Sequence, residues 1–162
     1  MPLTRLRHSF HLVLALLCAT ALIAQTPTPK ALPMTQASGT FDVKVLPTTN
    51  APDPSLSSHS VNKTFHGGLE ATTVGEMYSA GDPAKGSAGY VAIERVTGSL
   101  NGRTGTFAII HMATMQPGVP PQMAITIVPG SGTGELTGIT GTFTITIAAG
   151  KHSYTLNYSL PQ

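Results

Sequence analysis

The sequence predicts an all-β protein folded as a single eight-stranded antiparallel up-and-down barrel. Three observations lead there. From about residue 38 onward, apolar and polar residues alternate with a period of two in run after run, the signature of half-buried strands. Those runs are divided by glycine turns and one Asn-Gly pair. Beyond the first 24 residues the chain is rich in Gly, Thr, Val and Ile, has no Trp, and carries almost no helix signal.

The elements follow in order. Residues 1–24 read as an export signal: Arg5, Arg7 and His8 precede the apolar run "FHLVLALLCATALIA", and the small residues in "ATA" and "LIA" predict cleavage after Ala21 or Ala24. The apolar run is shorter than the roughly 20 residues a permanent span needs, so no stable membrane insertion is expected after cleavage. Leu17 precedes Cys18, where lipoprotein processing needs a small residue. The expected location is periplasmic or secreted. Cleavage removes Arg5 and Arg7 from the nine basic residues, leaving seven against seven acidic ones. The neutral chain has no Lys/Arg cluster of the kind nucleic-acid binding requires. It also loses its only cysteine, so stability must come from packing. Residues 25–36 form a Pro/Thr-rich linker and residues 37–161 one barrel domain, a length at which a single core is readily built.

Within that domain, "SGTFDVKVLP" alternates Phe41, Val43 and Val45 with Thr40, Asp42 and Lys44, which predicts the first strand. The proline-rich "PTTNAPDPSLS" is a loop. Strands are then predicted in "HSVNKTFH", "LEATTVGEM" and "SAGYVAIERVTGS", with "YSAGDPAKG" as a loop between the last two. Asn101-Gly102 predicts a type I′ hairpin into "RTGTFAIIHMATM", because such a turn needs positive φ at both central positions. "QPGVPP" is expected to break that strand. "QMAITIVP", "ITGTFTITIA" and "GKHSYTLNYSL" complete the eight, with the glycine-rich "GSGTGELTG" before the seventh and a short turn at Ala149-Gly150 before the eighth. Short links between consecutive strands favour a meander over a Greek key, and closure removes the exposed edges of an open sheet.

"LNGRTGTFAI" at 100–109 recurs as "LTGITGTFTI" at 136–145, with seven of ten positions identical. A strand follows each copy where a phosphate-binding loop needs a helix, so the glycines read as turn and bulge residues at two equivalent corners. The copies differ where chemistry could lie: Arg103 in the first becomes Ile139 in the second, and His111 corresponds to Ile147. No nucleophile elbow, zinc helix or Ser-His-Asp motif is present, and the histidine spacings predict no metal site or cofactor.

Four histidines follow the signal: His59, His66, His111 and His152. His111 continues the face of Phe107 and Ile109, and His152 begins the face of Tyr154, Leu156 and Tyr158, so both imidazoles are expected to point inward. In "YVAIERV" either Glu94, in phase with Tyr90, Ala92 and Val96, or Arg95 must face the apolar side. An inward Glu94 needs a partner such as Arg103 or a histidine, because a buried charge survives only when paired.

The segments "KTFHGGLEATTVGEMYSAG", "GSAGYVAIERVTGSLNGRTGTF", "SGTGELTGITGTF" and "GKHSYTLNYSL" resemble the bacterial family called domain of unknown function 3224 over about residues 35–160. The resemblance implies a barrel similar to those of allene oxide cyclase and the dirigent proteins, which steer reactive intermediates in cavities largely by shape. It assigns no activity. Two expectations result. The first is a small hydrophobic ligand bound, isomerised or cyclised in the barrel cavity, with His111, Glu94, Arg103, Tyr90, His66, His152 and Tyr154 as candidate contacts and Glu94 or His111 as the acid, base or charge stabiliser. The second is a non-catalytic structural or interaction module, homo-oligomeric through its surface.

Overall fold

The computed structural model describes residues 32–161; the expected export signal and most of the expected linker lie outside the described residues. The strands are β1 (Thr35–Thr48), β2 (Ser57–Gly67), β3 (Leu69–Asp82), β4 (Ser87–Leu100), β5 (Arg103–Gln116), β6 (Val119–Ile127), β7 (Thr133–Gly134), β8 (Thr140–Ala148) and β9 (Lys151–Ser159). Eight of them close a barrel in the order β1-β2-β3-β4-β5-β6-β8-β9, every pairing is antiparallel, and β9 returns to β1. The two-residue β7 is an extra strand laid against the start of β5. No α-helix occurs among the described residues.

Turn chemistry sets the hairpins. Asn101 and Gly102 both take positive φ, 47° and 85°, and Ala149 and Gly150 do the same at 49° and 74°. Two expected breaks are corrected. β3 runs through Tyr78–Asp82, most of the expected loop, because Ala80, Gly81 and Asp82 find partners in Gly89, Ala88 and Ser87; only Pro83–Lys85 turn, capped by the Asp82 carboxylate. Pro120 and Pro121 do not break the chain either, for β6 starts at Val119. They sit where the β5–β6 register shifts, between Thr114 and Gln116, and where β8 offers no partner, so their missing N–H groups leave no ladder bond unmade.

The hairpin turns at 67–69 and 100–103, together with the segment 128–139, gather at one end of the barrel. That end is closed. Leu136 and Ile139, from the repeated motif's second copy, plug it beside Leu69, Leu100, Phe107 and Leu156, all essentially without solvent exposure. Phe65 packs edge-on against Tyr154 with ring centroids 5.2 Å apart. Burying Phe- and Leu-sized side chains stabilises by about 1.5–3 kcal/mol each, so this half of the lumen is the stable core. Both copies of the motif lie at this end, where each starts a strand and buries its Phe, Phe107 or Phe143, but the first forms the β4–β5 hairpin and the second the plugging turn.

Candidate functional site

The other half of the lumen is open. A cavity of about 350 Å³ is lined by residues of all eight barrel strands, among them Phe41, Val43 and Val45 of β1, Met77 of β3, Met115 of β5, Met123 of β6 and Ile147 of β8. Its walls are apolar and its methionines adaptable in shape. On one side the wall is a seam. β6 and β8 pair only at Ile125↔Phe143 and Thr126↔Thr142, so the rest of each strand, carrying Met123 and Ile147, diverges toward the open end.

A layer of polar groups separates the cavity from the core. Glu94 is fully buried on β4, its side chain inward with Tyr90, Ala92 and Val96, while Arg95 points out and bonds Thr106. The Lys63 side chain, on β2 and 4% exposed, forms an ion pair and hydrogen bond with Glu94 Oε1 through its ammonium. These residues stand two strands apart and meet across β3 because Gly75 lies between them, opposite Val61 on one side and Glu94 on the other. A Cβ at Gly75 would come within 2.7 Å of Glu94 Cγ and collide with the Ile93 carbonyl oxygen. Thr73 Oγ1 donates to Glu94 Oε2 at 2.8 Å and accepts the Lys63 N–H at 3.0 Å.

His111 reaches the same carboxylate from β5, its Nδ1 standing 3.8 Å from Glu94 Oε1, an electrostatic contact rather than a hydrogen bond. Its Nε2 is 2.8 Å from the Tyr90 hydroxyl. The nearby carboxylate favours the tautomer with the proton on Nδ1, which leaves Nε2 to accept from Tyr90. Small Ala92, paired with His111, leaves room for this contact. Burial pushes the Glu94 carboxyl up, but His111, the Lys63 charge and the Lys63 and Thr73 hydrogen bonds together outweigh it and hold the group below the ordinary carboxylate range. Burial drives the Lys63 ammonium down against the pull of Glu94. Burial and then the Glu94 charge raise the Tyr90 phenol, which therefore keeps its proton at neutral pH. The result is a chain Lys63–Glu94–His111–Tyr90 in which Glu94 is buried and Lys63, His111 and Tyr90 line the cavity.

The structure thus brings together Tyr90, Glu94 and His111, and puts His152 on the cavity wall with its ring 5.0 Å from that of Phe41. It places the other three elsewhere. Arg103 is exposed at the start of β5, at the closed end. His66 lies exposed toward the same end, its Nδ1 3.5 Å from Glu70 Oε2. Tyr154 is buried there, its hydroxyl accepting the Leu69 N–H at 2.8 Å. Inward-facing Lys63 and Thr73, and His59 near the mouth, were not among the sequence candidates, although each shares the parity of its strand's apolar residues. Among the described residues no group of three or more His, Cys, Asp or Glu could hold a metal ion.

Comparison with known proteins follows the same lines. The sequence profile of the family described as "Protein of unknown function (DUF3224)" matches residues 37–158. A crystal structure of a protein of unknown function from that family, from Shewanella oneidensis MR-1, superposes with a TM-score of 0.72 at 43% identity, covering 80% of this chain and 99% of the other. No curated protein matches.

Proposed function

The chain belongs to the DUF3224 family, described only as of unknown function, and from the cavity itself we propose that it binds a small, largely apolar molecule carrying one polar group. One observation carries this reading: side chains that point into the barrel, Val45 at 44% and Ile147 at 61%, remain exposed because no side chain among the described residues packs over them in the open half of the lumen. Covering apolar area is worth about 25 cal/mol per Å², so a hydrocarbon body would gain there what water does not. The polar group of the ligand would meet Tyr90 and His111 at the inner end. The N-terminal basic, apolar and small-residue pattern supports an exported protein, which would meet its ligand outside the cytoplasm.

The test is titration of the purified protein with N-phenyl-1-naphthylamine, whose fluorescence rises on leaving water. Saturable binding that disappears in Ala92→Phe, a substitution that fills the cavity, supports the reading. Fluorescence that the protein does not change refutes it.

A second reading is favoured by a different surface. On the outside of β3, β4 and β5, Val74, Val91, Ile93 and Met112 form an exposed apolar patch, with Val74 at 70%. Such a patch suits association between copies of the chain. Sedimentation velocity on wild type and Ile93→Glu tests it: a larger species dissociated by the substitution supports self-association, and a wild-type monomer overturns it.

A further inference from the structure

We propose that Tyr90 and His111 catalyse a 1,3-proton shift on a β,γ-unsaturated ketone held in the cavity, an inference that rests on the cavity being a ligand site. Their geometry carries it. The phenol hydroxyl and imidazole Nε2 lie 2.8 Å apart in a mainly apolar chamber whose other polar lining is His59, Lys63, Ser79 and His152. A carbonyl oxygen arriving at the Tyr90 hydroxyl replaces Nε2 as its acceptor. That exchange frees the imidazole lone pair one hydrogen-bond length away, beside the carbon next to the carbonyl.

The step balances without any further reactant. Nε2 takes a proton from the α-carbon, the C–H electrons flow through the carbonyl to its oxygen, and the resulting dienolate is held by the Tyr90 O–H. The imidazolium then returns the same proton to the γ-carbon, the electrons flow back, and the conjugated ketone is left. His111 ends neutral and Tyr90 has kept its proton. An acid and a base with nothing else between them fit a reaction that begins and ends with the same atoms.

The groups behind the pair have positioning roles. Glu94 favours the Nδ1–H tautomer and stabilises the imidazolium, while Lys63 and Thr73 keep Glu94 ionised in a buried place. The raised Tyr90 phenol remains a donor throughout. The apolar walls select the substrate class: a hydrocarbon skeleton with a single acceptor oxygen, which the cavity's volume can enclose.

The experiment uses cyclohex-3-enone. Its conversion to the conjugated ketone is followed by ultraviolet absorbance, and loss of its α-protons in deuterium oxide by NMR. N-phenyl-1-naphthylamine binding is measured on every variant in parallel. Wild type is expected to accelerate both changes over buffer. Tyr90→Phe and His111→Gln are expected still to bind the naphthylamine saturably, through the apolar walls and with at most a few-fold weaker affinity, and to lose at least about 100-fold in rate. For Glu94, the combination Glu94→Gln with Lys63→Met removes both buried charges together. It should lower the rate at saturating ketone and leave the half-saturation concentration unchanged. Naphthylamine binding by wild type without acceleration, or Tyr90→Phe and His111→Gln that match wild type in rate, overturns the proton-shift proposal and leaves ligand binding standing. Failure of wild type to bind the naphthylamine overturns both.

Discussion

Replacing Glu94 by Gln changes one charge and almost no volume, and its cost follows from where that charge sits. The side chain is fully buried and the Lys63 ammonium opposite is 4% exposed, so the substitution strands a buried cation. Lys63 can escape only by releasing its proton in the folded state. From its ordinary value of 10.5, that release costs no more than about 5 kcal/mol at pH 7 and about 2 kcal/mol at pH 9. Removing one partner of a buried pair costs about 3–5 kcal/mol, within the pH 7 ceiling. The sign is fixed by linkage. A lysine whose folded value lies below its unfolded one binds fewer protons when folded, so stability is lost as pH falls through the folded value and regained as pH rises toward 10.5. Urea unfolding followed by far-ultraviolet circular dichroism should therefore show a loss of about 3–5 kcal/mol at pH 7 that shrinks to at most about 2 kcal/mol at pH 9. Adding Lys63→Met should restore most of the loss and abolish its pH dependence. A deficit under about 1 kcal/mol at pH 7, or one unchanged at pH 9, would refute the buried ion pair.

Other outcomes follow from the same geometry. Because Glu94 is held below the ordinary carboxylate value of 4.5, its contribution is present above that pH and lost as pH falls through the folded value; acid titration of stability should show a component that the Lys63→Met, Glu94→Gln protein lacks. Gly75→Ala should cost about 1–3 kcal/mol in calorimetry, since the added methyl meets Glu94 Cγ and the Ile93 carbonyl, and a change of only a few tenths would mean that the strands yield more than their register implies. Ile147→Glu, at the exposed rim, should leave the urea midpoint within about 0.5 kcal/mol of wild type and weaken naphthylamine binding; unaltered binding would move the ligand away from the β6–β8 seam.

Much of the fold was legible because it is written locally. The alternation of Phe41, Val43 and Val45 and the Asn101-Gly102 pair each report a strand or turn within a few residues. Pro120 and Pro121 misled because a proline's cost depends on whether a partner strand waits for its N–H, and here none does. The polar layer was harder to foresee. Glu94 and His111 could be placed on inward faces by parity, but their assembly depends on register: Thr73 opposite Lys63, Gly75 opposite Glu94, Ala92 opposite His111. Lys63 shares the inward parity of Val61 and Phe65, yet a lysine on an apolar face reads as solvated until its counterion two strands away is known. Of the partners expected for Glu94, Arg103 stands at the closed end while a histidine, His111, does approach the carboxylate, and the cation comes from β2, two strands away.

The closure of β1 on β9 has a consequence for how the molecule comes into being. Most of the other ladders join strands that follow one another closely in the chain, whereas Thr35 pairs with Tyr158 and Phe41 with His152. That contact carries the greatest loop-closure entropy and is expected to be the slow, late event of folding. A nascent chain can lay down its hairpins in succession, but it cannot close the ring until its last strand is available. The chamber is made by the meeting of the two ends of the domain, and a chain truncated before β9 would have an inner face but no interior.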